Sequence, residues 1–367
     1  MKIQHFLFIL TFMLVYSSCN KLFNSEEEKP PNISNNMMVV YPNRGNMLYL
    51  VDYKTFEVIR KIIVDIPDSL GIFRMCLSTN KNFFVFDAHI EGKPPFSHYI
   101  ISYNIAQDSI HNIFPTGLDS VGAPRMTAAY ISDEPGLIYL YSHNVGLYSI
   151  DFLTEEVKTI YTVNDGPGVD FHHSPDKEWI VINKYIPGGM NPGHHEIEFY
   201  NTISGLYNPQ FILNKNNQDS IQVDDLAFSE DNNEIFISIR LPQMRYIANY
   251  FGSYDLETKK LYKSPLNFPW SLNPYYMAYS AKRKECYLVG AQDKFYIVDR
   301  SKEDYKLETI IDLAGKVPSP SRILLRPDED VAFVSCVYSN FVIAIDLDKR
   351  QIIRKIEMEY PYLMILL

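Results

Sequence analysis

From Met37 onward the chain is written in short apolar runs separated by polar turns. One phrase, an apolar run ending in Asp or Asn, a turn and a second apolar run, recurs seven times. Its turn residue falls at Asp52, Asn104, Asp151, Asn201, Asp255, Asp299 and Asp346, in steps of 52, 47, 50, 54, 44 and 47 residues. Runs of this length bounded by turn residues predict strands, and no segment keeps helical spacing over three turns. A period of about fifty residues holding four strands predicts a β-propeller.

A second marker recurs out of phase: an apolar run ending in Ser, then a polar turn. It stands at Ser78, Ser132, Ser174, Ser229 and Ser280, with Arg326 in the sixth place. Each blade then reads as strand a before this turn, b after it, c ending at the Asp or Asn, and d beyond. In one blade these are Leu226–Phe228, Glu234–Ile239, Phe251–Tyr254 and Lys260–Tyr262. Seven c–d turns face only six a–b turns, so the first blade, starting with strand b at Met37–Tyr41, lacks an innermost strand. The chain's last stretch, Tyr360–Leu367, aligns with the other a strands and stops where the turn serine would fall. It is predicted to close the ring, sparing two blade faces from water. The count gives seven blades, with six or eight as the alternatives.

The final blade runs Phe333-Val334-Ser335-Cys336-Val337-Tyr338-Ser339-Asn340-Phe341-Val342-Ile343-Ala344-Ile345-Asp346. This resembles the repeat of YVTN-type propellers, sharply here and loosely over the rest of Met37–Leu367. The resemblance implies a seven-bladed ring and carries no activity, since such rings serve binding, scaffolding and catalysis alike.

Before the repeats, Lys2 and the apolar stretch Phe6–Val15 read as a signal peptide over residues 1–18, too short to span a bilayer. Tyr16-Ser17-Ser18-Cys19 resembles a bacterial lipobox, with Tyr16 where that family has an aliphatic residue. The resemblance implies lipid attachment at Cys19. Residues 19–36, with Glu26-Glu27-Glu28 and Pro30-Pro31, read as a flexible acidic tether. An acidic run after the lipidated cysteine is also similar to the surface-export signal of Bacteroidota lipoproteins. The implied address is the outer membrane, on its periplasmic or exposed side, with membrane contact through the lipid anchor only.

A net charge of −10 without a Lys/Arg cluster beyond three residues argues against nucleic acid as a partner. Cys76, Cys286 and Cys336 fall in strands of different blades and read as core residues rather than a disulfide set. The sequence holds no nucleophile elbow, Walker loop, paired Cys motif or zinc-protease helix, and no cofactor is expected.

Propellers bind at the mouth of the central channel. Four residues before each a–b turn marker stand Arg74, Ala128, Asp170, Asp225, Tyr276, Arg322 and, in the closing strand, Leu363. The residue before each is Phe73, Thr127, Val169, Asp224, Tyr275, Ser321 and Tyr362. Arg74, Asp170, Asp225, Tyr276 and Arg322 are the candidate ligand-binding set, arginines on one side and aspartates roughly opposite, suited to a bipolar ligand. The alternative is that these charges pair internally. His172-His173 and His194-His195 invite a metal reading, but neighbours on a strand diverge, so core or surface roles are expected and no metal. Ala88–His98, Tyr185–His195 and Leu241–Tyr250 are expected to be long b–c loops that set specificity.

The sequence therefore predicts an envelope lipoprotein whose propeller binds or senses a small molecule, peptide or envelope protein without catalysis. A lactonase- or lyase-like enzyme and a structural subunit of an envelope complex are the alternatives.

Overall fold

The computed structural model describes residues 36–367 apart from 43–45, 68–69, 79, 91–97, 118–125, 132–133, 135, 143–145, 163–167, 187–193, 214–221, 244–245, 259, 264–273, 291–292, 301–305 and 314–319. The expected signal peptide, Cys19 and all but the last residue of the tether lie outside the described residues. Among the described residues the fold is all-β: 28 strands in seven four-stranded antiparallel sheets, with one 3-10 turn at Val337–Ser339. The innermost strands, in blade order, are Pro361–Leu366, Leu70–Leu77, Met126–Ile131, Gly168–His173, Gln222–Phe228, Pro274–Ser280 and Pro320–Leu325. Each touches the next, and the last touches the first, so the chain forms a closed seven-bladed propeller.

Closure follows the register expected from the two markers. The strand Pro361–Leu366 pairs with Met37–Pro42, and Leu367 N donates to Met37 O at 2.9 Å. The same bond joins Ser78 to Phe83, Ser174 to Trp179 and Ser229 to Glu234. Leu367 thus holds the place of the turn serine in blade 1.

The turns recur because the same short oxygens satisfy the same amides. Asp52, Asp151 and Asn201 each accept two backbone N–H groups of their own c–d turns on one side-chain oxygen, and Asn104, Asp255 and Asp346 accept the amides of Gln107, Thr258 and Lys349. Four residues on, Phe56, Asp108, Glu155, Gly205 and Arg350 adopt left-handed backbone, which lets a short turn re-enter the sheet. In all seven blades the residue after the turn Asp or Asn donates to the residue preceding strand b, as in Tyr53 to Asn36 and Leu347 to Asp330. On the a–b turns, Ser78, Ser174 and Ser229 accept the amides of Phe83, Trp179 and Glu234.

Between these turns, strands b and c are buried almost throughout, as in Val331–Cys336 and Phe341–Asp346. Their side chains form cores between adjacent blades. One such core joins Phe333, Val342 and Ala344 of blade 7 to Val40, Tyr49, Val51 and Met364 of blade 1. Cys76, Cys286 and Cys336 are buried free thiols within these cores, and burial pushes the Cys336 thiol up to about 12. No helix among the described residues is long and apolar enough to cross a membrane.

The expected long b–c loops need correction. In blade 5, strands b and c continue through most of the segment, with Leu241 opposite Ala248 and Gln243 opposite Tyr246. Only residues 244–245 separate the strands there, so this connection is an extended hairpin. In blades 2 and 4 the strands also run further, to Ile90 and Ile186, before residues 91–97 and 187–193. Alternating cross-strand pairing overrode the Pro and aromatic content that read as loop.

Candidate functional site: the inner wall of the ring

All seven innermost strands carry a β-bulge at the equivalent place. The extra residues are Tyr362, Phe73, Thr127, Val169, Asp224, Tyr275 and Ser321, each just before the corresponding ring position. The position four before each turn marker therefore follows the bulge in every blade. A bulge turns a strand and re-aims its side chains. That brings the residue before a ring position into play as well.

The ring positions pair across to strand b: Arg74 with Asp87, Asp170 with Asn183, Asp225 with Ser238, and Arg322 with Ser335. Asp87, Asn183, Ser238 and Ser335 are all buried. The uncharged ring positions Tyr276, Ala128 and Leu363 pair instead with Val289, Tyr141 and Tyr41. Each charged position on the inner strand is thus backed by a buried polar residue, and each uncharged one by an apolar or aromatic residue. Burying a polar group without a partner is costly, so this second row belongs to the construction of the first. The side chains of Arg74 and Asp170 lie outside the described residues, and only their places in the register are assigned here.

Asp225, Tyr276 and Arg322 form part of one arc. In blade 4, His172 Nε2 lies 3.1 Å from Asp225 Oδ1 of blade 5. The contact is an ion pair when the imidazole is protonated. Asp225 Oδ1 also accepts from Leu226 N at 2.9 Å, and Oδ2 accepts from Met277 N of blade 6 at 2.5 Å. The neighbouring Tyr276 presents its ring to Arg322 of blade 7, with Cζ 4.1 Å from the centroid. On the other side, the Tyr362 ring of blade 1 lies 5.6 Å from the same Cζ. Contacts therefore run unbroken through blades 4, 5, 6, 7 and 1.

Two of these contacts are pinned from behind. Ser335 Oγ of blade 7 donates to Tyr362 O at 3.0 Å, fixing the backbone that carries one ring. Asp225 fixes Met277, the residue next to the other ring. Within this wall Asp225 is buried and committed to backbone amides. Its carboxylate builds the ring. Arg322 and Tyr276 remain half-buried on the wall.

Sequence reasoning had Tyr362 in its second row without assigning it to the site, and it missed Ser335. The signal for Tyr362 was the bulge, which requires two adjacent residues opposite one. Nothing in the sequence marks the serine apart from its register with Arg322. No group of three or more His, Cys, Asp or Glu among the described residues is arranged to hold a metal ion. His173 Nδ1 lies 2.9 Å from Ser174 O, a local contact at the bottom of the strand.

A cavity of about 500 Å³ opens on the b–c face at the seam between blades 7 and 1. Tyr49, Val58, Lys61, Asn340 and Met358 help line it, and Lys61 Nζ sits 5.4 Å from the Tyr49 ring centroid. The connector that borders this cavity at Met358 and Glu359 continues directly into Tyr362.

No family model matches the chain, and no curated protein matches it. Among solved structures it is similar to hydrazine synthase of Kuenenia stuttgartiensis, at 16% identity and a TM-score of 0.66. That match covers 88% of this chain and 97% of the other. A Lactobacillus plantarum protein matches at 14% identity and TM-score 0.64, covering 90% and 99%. The dihydro-heme d1 dehydrogenase NirN matches at 12% identity and TM-score 0.58, covering 94% and 78%. At these identities the likeness is one of fold.

Proposed function

We propose that this chain is a binding or sensing propeller of the cell envelope, tethered by a lipid on Cys19, whose ligand site is the Tyr276–Arg322–Tyr362 wall of the ring. The observation that carries the reading is the guanidinium of Arg322 held between two aromatic rings from neighbouring blades. Aromatic rings attract a guanidinium, and a guanidinium matches the geometry of a carboxylate or phosphate. A ligand bearing such an anion and a flat apolar part fits this wall. The bipolar ligand expected from sequence is narrowed accordingly, because the Asp225 carboxylate is occupied within the ring.

The same occupancy favours binding over turnover. A lactonase- or lyase-like mechanism needs an acid–base group within hydrogen-bond reach of substrate. Asp225, the aspartate for that role in blade 5, has both oxygens engaged by backbone amides. Hydrazine synthase and NirN share only the fold with this chain, at 16% identity or less.

A thermal-shift screen of carboxylate- and phosphate-bearing compounds tests the site. Compounds that raise the melting temperature of the wild type are expected to lose that effect in Arg322→Ala. Equal shifts in both proteins would remove the site. Processing blocked by globomycin is the expected result for the lipid at Cys19; processing indifferent to it would remove the anchor.

A further inference from the structure

We propose that the face carrying the a–b and c–d turns rests on the lipid bilayer, held at blade 1 by the tether and at blades 3 and 4 by aliphatic turn tips. The orientation rests on the anchored-lipoprotein reading above for its first contact and on the exposed side chains for its second.

The tether leaves the ring on a defined face. Asn36 O accepts the amide of Tyr53, in the c–d turn of blade 1. The equivalent bonds in the other blades join Ile105 to Asn82 and Leu256 to Asn233, all at the junction of the a–b and c–d turns. The chain therefore enters on that face, opposite the b–c connectors. Residues 20–36 separate Cys19 from the start of the ring. A chain of this length reaches at most about 60 Å. A lipid on Cys19 would therefore join the membrane to the ring from its turn face.

The same face carries aliphatic residues where the other blades are polar or small. The second residue after the turn Asp or Asn is Lys54 in blade 1, Ala106 in blade 2, Glu257 in blade 5 and Asp348 in blade 7. In blades 3 and 4 it is Leu153 and Ile203, which are 43% and 74% exposed. The fifth residue is Glu57, Ser109, Glu156, Lys260 and Gln351 in other blades; in blade 4 it is Leu206, 68% exposed. Leu153 is set in place by Gly136, whose left-handed backbone and missing Cβ make room for it: a Cβ there would lie 2.8 Å from Leu153 Cδ1.

These side chains stand on the tips of turns two and three blades from the tether. Protruding aliphatic tips suit insertion among headgroups and upper acyl chains, the mode of peripheral anchors in which apolar side chains add to a lipid. Glu155, Glu156 and Asp176 beside the tips favour a zwitterionic surface over an anionic one. The arrangement turns the b–c connectors and the seam cavity away from the membrane.

The test uses the full processed chain, with an environment-sensitive NBD dye on Ile203→Cys or, on the opposite face, on Tyr338→Cys. Cys76, Cys286 and Cys336 are buried and an acylated Cys19 has no thiol, so in the acylated protein the introduced thiol is the one labelled. On reconstitution into phosphatidylcholine–phosphatidylethanolamine vesicles, the dye at 203 is expected to brighten several-fold and to be quenched by lipids spin-labelled on the acyl chain. The dye at 338 is expected to stay as in water. A dye at 203 that stays dark, or one at 338 that brightens instead, overturns the orientation. Brightening at 203 without lipid and rising with protein concentration also overturns it, in favour of a second copy of the chain. Mass spectrometry of the N-terminal peptide is read separately: an unacylated Cys19 removes the anchor, whereas an acylated Cys19 with a dark probe at 203 removes the orientation alone.

Discussion

Ser335, on strand b of blade 7, donates its hydroxyl proton to the carbonyl oxygen of Tyr362 in the closing strand of blade 1, 3.0 Å away. One bond thus joins the last blade to the strand that completes the first, directly behind a ring that packs over Arg322. Ser335→Ala leaves the Tyr362 carbonyl without this donor, and a net loss of about 1 kcal/mol is expected, as for a typical intramolecular hydrogen bond. Urea unfolding measures it, and a midpoint equal to that of the wild type would show that the bond contributes nothing to closure.

Closure itself depends on packing as well as pairing. Met364 is buried in the core between blades 7 and 1. Met364→Ala should lower stability by about 2–5 kcal/mol, the range for large-to-small changes in a core. Removing residues 361–367 should prevent the ring from forming, since the two blades would then meet water along their apolar faces. Circular dichroism and denaturant titration of both variants check this.

Asp225→Asn addresses the strut between blades 5 and 6. The carboxylate accepts two backbone amides, and hydrogen bonds to charged groups are worth about 1.5–3 kcal/mol each. The amide side chain keeps one acceptor and turns its NH2 toward the other donor. A loss of at least ~1.5 kcal/mol is expected without any ligand present. A variant as stable as the wild type would return Asp225 to the list of groups available to a ligand.

Acid should weaken the turns before the cores. The Ser229 hydroxyl holds the Asp231 carboxyl below its usual value, and the Thr258 and Lys349 amides do the same for Asp255 and Asp346. Carboxylates lowered in the folded state contribute stability that is fully present above the unfolded value of 3.8 and is lost as pH falls through the folded values. Stability should therefore drop below about pH 4, with a shallower drop in Asp231→Asn and Asp346→Asn. Unfolding midpoints measured from pH 6 to pH 2.5 give the slope; an unchanged slope in the variants would assign the acid limb to other groups.

Much of the fold was legible because its determinants are local. A turn Asp and its partner amides lie within a few residues, so Asp52, Asp151 and Asp346 announce themselves in sequence. The closing strand was legible for the same reason: two local markers, counted separately, differed by one. The wall was only half legible. Position four before the turn marker located Tyr276 and Arg322, but which charges are spent inside the ring is decided between blades. Asp225 reaches Met277, 52 residues away, and Ser335 reaches Tyr362, 27 residues away. No periodicity within one repeat encodes those meetings. The hairpin at Leu241–Tyr250 was misjudged because cross-strand register, not composition, carries it outward.

The account stands on Arg322 as the anchor of a ligand site, and calorimetric titration tests that most directly. The ligand used is the carboxylate or phosphate compound that most stabilises the wild type in the thermal-shift screen. Losing a charge-assisted pair of about 1.5–3 kcal/mol predicts a Kd raised by roughly 10- to 150-fold in Arg322→Ala. Ser335→Ala should fall between the two proteins because Tyr362 loses its pin. An Arg322→Ala protein that melts at the wild-type temperature and binds the same compound with the same Kd would contradict the account.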